Sequence, residues 1–69
     1  MNADLLKGKI REKALAQREV ADKIGVSLSR FNAKLNGTRG AEFYLSEAQA
    51  LQQLLGLTVE QAYEIFLKK

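Results

Sequence analysis

The chain has no cysteine and no histidine among its 69 residues. Without cysteine there is no disulfide and no thiolate metal site. Without histidine the commonest metal ligand and the commonest general base are both missing. A cysteine-free composition accords with a reducing compartment, so a cytoplasmic location is the expectation. No segment approaches the ~18 unbroken apolar residues of a membrane span. The first ten residues, MNADLLKGKI, hold neither a long apolar core nor a cleavage pattern, so export is not expected either. The carboxylates are scattered among lysines and arginines. No nucleophile–base pair can be assembled outside a Ser/Lys arrangement, and the chain is short for a deep pocket. The expectation is therefore no enzyme, no cofactor, no metal and no small-molecule substrate. Proline is also absent, and there is neither a low-complexity tract nor a linker.

What is present fits one domain over residues 1–69. A domain of this size buries a thin core and gains from packing on a second copy. The net charge is only +3, but it is unevenly placed. Residues 1–39 hold nine Lys/Arg against four Asp/Glu, or +5, and residues 40–69 hold two against four, or −2. A one-sided positive field suits a polyanionic partner, although ordinary surface charge with a chance imbalance explains it as well.

Apolar spacing and capping residues predict an all-α fold of five helices, with no sustained period-2 alternation. Helix 1 is expected over Ala3–Lys13, capped by Asn2 or Asp4, with Leu6 and Ile10 inward. Gly8 inside it costs roughly 1 kcal/mol of propensity and could mark a close helix approach. Helix 2 is expected over Gln17–Ile24, with Val20, Ala21 and Ile24 inward. Gly25 would stop it, and Val26 would drop into the core. Helix 3 opens at Ser27, a good N-cap, and closes at Asn36-Gly37. A loop from Thr38 to Tyr44 follows. Helix 4 is expected from near Ser46 to Leu55, with Ser46 and Gln49 at capping-box spacing. Gly56 would stop it. Helix 5 follows Thr58, itself paired with Gln61, and runs to the C-terminus.

Helix 3 is the informative element. On a helical wheel Leu35 falls about 40° from Phe31 and Leu28 about 60° from it, on the same side, which defines the buried face. The opposite side carries Ser29, Ala33 and Asn36, flanked by Asn32 and Arg30. These residues are small or polar, and none is acidic. Small side chains let a helix sit deep in a major groove about 12 Å wide. Asn32 can offer paired donor and acceptor atoms to adenine, and Ser29 can serve either kind of base-edge group. Ala33 and Leu28 can touch a thymine methyl, although Leu28 also suits the core. Candidates for phosphate contact surround this face. Gln17 and Arg18 open helix 2, where free amides and the helix dipole attract an anion. Ser27, Arg30, Lys34 and Asn36 lie on helix 3, and Thr38 and Arg39 follow it. Each has a plainer role available, as a solvated surface residue or a cap.

At these residues the chain resembles the helix-turn-helix domains of phage Cro and repressor proteins. The pattern runs through Ala16-Gln17-Arg18-Glu19-Val20-Ala21-Asp22-Lys23-Ile24-Gly25-Val26-Ser27 and resumes at Lys34-Leu35-Asn36-Gly37-Thr38-Arg39. Leu54-Leu55-Gly56-Leu57-Thr58 resembles the joint between helices 4 and 5. The likeness extends from about Leu6 to Phe66. It implies a five-helix, lambda-repressor-like domain that binds double-stranded operator DNA, commonly as a two-fold dimer, in a bacterial host cell. By the resemblance, Leu28, Ser29, Asn32 and Ala33 match base-reading positions, and Gln17, Asn36 and Arg39 match backbone-contacting ones. Two departures stand out. Ala16 replaces the usual threonine cap of helix 2, forfeiting ~1 kcal/mol of capping. Helix 3 also lacks the frequent Gln or Arg base readers. The short length resembles a Cro-type regulator more than a full repressor.

Helix 5 bears on assembly. On its wheel Ala62, Tyr63 and Phe66 lie within about 60° of Val59, Leu67 lies about 80° to one side and Ile65 about 120° to the other. This arc of about 200° exceeds the ~100° needed to dock one helix on a core. Tyr63, Ile65 and Phe66 are therefore the candidate homodimer surface. The same arc keeps open a different function, a protein-interaction module such as an antitoxin that neutralises a partner protein.

Overall fold

Local chemistry starts and stops each helix. In the computed structural model, which describes residues 1–67, the helices are α1 (Ala3–Glu12), α2 (Gln17–Ile24), α3 (Leu28–Asn36), α4 (Leu45–Leu55) and α5 (Val59–Phe66). A short 3-10 turn at Thr38–Gly40 occupies part of the expected loop. The described residues contain no strand, so the all-α class is as expected. The expected run of the last helix through the final two lysines lies outside the described residues.

Asn2 is the cap of α1: its Oδ1 accepts from the Leu5 amide at 3.0 Å. The Asn2 amide donates to the Ile65 carbonyl at 2.7 Å, tying the first helix to the last. No side chain caps α2, as Ala16 dictates. Only the reciprocal half of a capping box forms there, with the Ala16 amide donating to Glu19 Oε1 at 3.0 Å. Thr58 and Gln61 complete both halves at the start of α5. Gly25 ends α2 in the left-handed region at φ 80°, and the Val26 amide reaches back to the Ala21 carbonyl at 3.0 Å. This geometry turns Val26 toward the core, where it packs half-buried.

Two local expectations are corrected. Helix α4 begins at Leu45, next to the expected start, but its cap is Tyr44 rather than Ser46, because Glu47 rather than Gln49 closes its first turn. The Glu47 carboxylate accepts from the Tyr44 amide at 2.9 Å, and an ionised acceptor outcompetes a neutral one. Nor is Gly8 a site of close helix approach, since a Cβ built there would meet no atom within 4 Å.

The core gathers Leu6 and Ile10 from α1, Val20 and Ala21 from α2, Phe31 and Leu35 from α3, Leu51 and Leu55 from α4, then Leu57 and Ile65. The principal backbone approaches are α2 with α3, α2 with α4, α1 with α5 and α4 with α5. Phe43, in the loop before α4, joins distant parts. Its ring lies 5.6 Å from that of Phe31 and 6.3 Å from that of Phe66, tilted to the first and edge-on to the second. Such pairs contribute about 0.5–1.5 kcal/mol each beyond area burial.

Candidate nucleic-acid interface

The connection between α2 and α3 is three residues, Gly25-Val26-Ser27. Ser27 Oγ accepts from the Arg30 amide at 3.1 Å and starts α3 where the turn ends. Phe31 and Leu35 then drive one side of α3 into the core. That burial turns the opposite stripe outward. Ser29 and Asn36 are exposed there, and Ala33 and the flanking Asn32 are half-buried. No carboxylate lies anywhere on α3. Three of the four candidate base-edge residues, Ser29, Asn32 and Ala33, thus lie on the side of the helix turned away from the core, whereas Leu28, half-buried, shares the side of Phe31 and Leu35 at the start of α3.

Of the candidate phosphate contacts, Arg18, Ser27, Arg30, Asn36, Thr38 and Arg39 are exposed, and Gln17 is half-buried at the first position of α2. The uncapped start of α2 leaves its leading amides without a side-chain acceptor. These amides carry the positive end of the helix dipole. Arg39 stands in the left-handed region at φ 55°, ψ 32°, which is unfavourable for any residue bearing a Cβ.

Lys34 does not join this group. It is 8% exposed, and its Nζ donates to both carboxylate oxygens of Glu47, at 2.6 and 2.7 Å. The same ammonium lies 4.1 Å from the centroid of the Tyr44 ring. The expected phosphate role of Lys34 is corrected accordingly: the cation is committed to an internal pair. Burial by itself raises the Glu47 carboxyl. The hydrogen bonds from Lys34 and the Tyr44 amide, with the charges of Lys34 and Arg30, outweigh it and hold the group below the ordinary glutamate value. A signal for this pair was present in the sequence. On the helical wheel Lys34 falls about 60° from Phe31, on the side away from Leu35 and still within the inward half of α3. What was missing was the partner, because nothing local joins residue 34 to residue 47.

A second surface lies on α5 and the start of α4. Ile65 is 0% exposed and belongs to the core, so its expected place in a dimer interface is corrected. The apolar arc of α5 is anchored at the Ile65 end, which leaves the other end outside. Val59 is 76%, Tyr63 52% and Leu67 70% exposed, and Leu45 from α4 adds 76%. Phe66 is half-buried beneath them. These side chains border a concavity of about 820 Å³ that extends to the end of α3. Among the described residues no helix is long and apolar enough to cross a membrane.

The chain matches no family model, no curated protein and no solved structure.

Proposed function

We propose that the protein is a sequence-specific, double-stranded-DNA-binding transcriptional regulator of the Cro-like, helix-turn-helix kind, acting as a repressor in a phage or prophage setting. Helix α3 enters the major groove. The observation that carries this reading is the outward stripe of α3, which is acid-free, lined by small or polar groups and open to solvent. Asn32 and Ser29 offer hydrogen bonds to base edges, and Ala33 and Leu28 offer apolar contact. Arg18, Arg30 and Arg39, with Gln17, Ser27, Asn36 and Thr38, anchor the phosphates on either side. These contacts contribute affinity and register rather than sequence information. With Lys34 withdrawn, three arginines remain as the cationic anchors.

Two copies are proposed to pair through Tyr63 and Phe66, with Val59, Leu67 and Leu45 completing the apolar face. A two-fold pair aligns two α3 helices with two half-sites. The second copy then binds at high effective concentration.

The same apolar face favours a second reading, a module that captures a partner protein. Selection of bound sequences from a random duplex pool separates the two. A palindromic consensus, with binding that weakens steeply as salt rises, is expected for the regulator. A pool that returns no enriched sequence sinks that reading in favour of the protein partner.

A further inference from the structure

Helix α3 is held in the core from one direction, through Phe31 and Leu35. Its principal backbone neighbours are α2 and the 3-10 turn at Thr38–Gly40. Lys34 reaches from α3 to α4. Its ammonium is gripped by both oxygens of Glu47 and covered by the Tyr44 ring. Glu47 is itself immobilised, because Oε1 also accepts the Tyr44 amide and so closes the first turn of α4. One carboxylate therefore both starts α4 and ties down the flank of α3.

Such a flank contact adds a directional, charge-assisted restraint on rotation of α3 about its own axis to the packing of Phe31 and Leu35. A roll of about 10° moves an atom about 6 Å from the axis by about 1 Å. Donor–acceptor distances in hydrogen bonds span only about half that range. We propose that Lys34, Glu47 and Tyr44 form a positioning clamp that sets the roll of α3, so that base-edge discrimination depends on three residues that touch no DNA. The clamp rests on the regulator reading for its functional meaning. Its structural content, the roll of α3, stands apart from that reading.

The test combines two measurements on the whole chain: residual dipolar couplings for the orientation of α3 relative to α4, and binding to a selected operator and to random duplex. The variant is Lys34→Met with Glu47→Gln, in which glutamine Oε1 still accepts the Tyr44 amide. Replacing a buried ion pair with residues of similar volume is often tolerated. In the folded variant α3 is expected to roll by about 10°, with operator binding about tenfold weaker, the equivalent of one lost base-edge contact. Binding to random duplex and its salt slope should stay as in the wild type. Unchanged α3 orientation overturns the clamp. So does a shallower salt slope on all duplexes, which would make Lys34 a phosphate contact after all. If the double variant does not fold, Lys34→Arg keeps a charged pair of altered length, and an unchanged operator-to-random ratio with unchanged orientation overturns the clamp equally. Should the wild type bind no duplex at all, the regulator reading fails, while the dipolar couplings still decide whether the pair sets the roll of α3.

Discussion

Arg39 offers a direct separation of stability from binding. It sits at φ 55°, ψ 32°, where a side chain with Cβ crowds the following carbonyl. The strain is roughly 1–2 kcal/mol. Replacement by glycine relieves it, but glycine loses more backbone entropy on folding, by roughly 0.5–1 kcal/mol. The net expectation for Arg39→Gly is a gain of about 0.5–1 kcal/mol. For a domain of this size that raises Tm by about 2–8 °C. If Arg39 contacts a phosphate, the same substitution removes one counterion-releasing cation. The slope of log K against log salt should then flatten by about 0.9. Ala14 supplies the control, since it also has positive φ, at 54°, in the turn after α1. Ala14→Gly should raise Tm comparably and leave binding untouched. Thermal melts and salt titrations on random and selected duplexes give both quantities. A variant at position 39 that melts higher yet binds with undiminished affinity and slope would refute the phosphate role. A variant that melts no higher would refute the strain argument.

The remaining expectations are simpler. Asn32→Ala should lower discrimination by ~1–3 kcal/mol at one base pair; a uniform loss across all sites in a competition assay would reassign the residue to positioning. Val59→Lys should weaken self-association without harming the fold, because Val59 is exposed, whereas Phe66 packs edge-on against Phe43. Sedimentation showing only monomers in the wild type would end the dimer proposal. Gly8→Ala should stabilise the domain by roughly 1 kcal/mol, since the added methyl meets nothing and α1 gains propensity; a lower denaturation midpoint would mean that the site is not open. Acid should weaken the fold through Glu47. Its carboxyl is held below its ordinary value in the folded state, so the stabilisation is complete above the unfolded value, about pH 4.3, and is lost as pH falls through the folded value. Lys34→Met with Glu47→Gln should remove that part of the acid limb in urea titrations at successive pH values.

Much of the fold was legible because helix boundaries are local events. Asn2, Ser27 and Thr58 cap amides three residues onward. Gly25, Gly37 and Gly56 close helices by adopting positive φ at their own positions. A one-dimensional string contains all of that information. The outward stripe of α3 was legible for a related reason. Phe31 and Leu35 must be buried, and the helical repeat then carries Ser29, Ala33 and Asn36 to the other side.

Tertiary structure decided the contacts that no short-range rule links. Lys34 and Glu47 are distant in sequence, so the charge of Lys34 pointed to solvent and phosphate until the packing of α3 near α4 brought a carboxylate to it. The cap of α4 is local, since Glu47 lies three residues after Tyr44, but only packing made the same carboxylate the partner of Lys34. On α5 the wheel fixed relative angles but not which end of the broad apolar arc meets the core. Docking against the rest of the domain buried Ile65 and left Val59, Tyr63 and Leu67 outside. Sequence alone thus determined the helices, most of their ends and the chemistry of each face. Their mutual orientation, and with it the fate of one lysine and one isoleucine, followed only from three-dimensional packing, because periodicity defines a face without naming its neighbour.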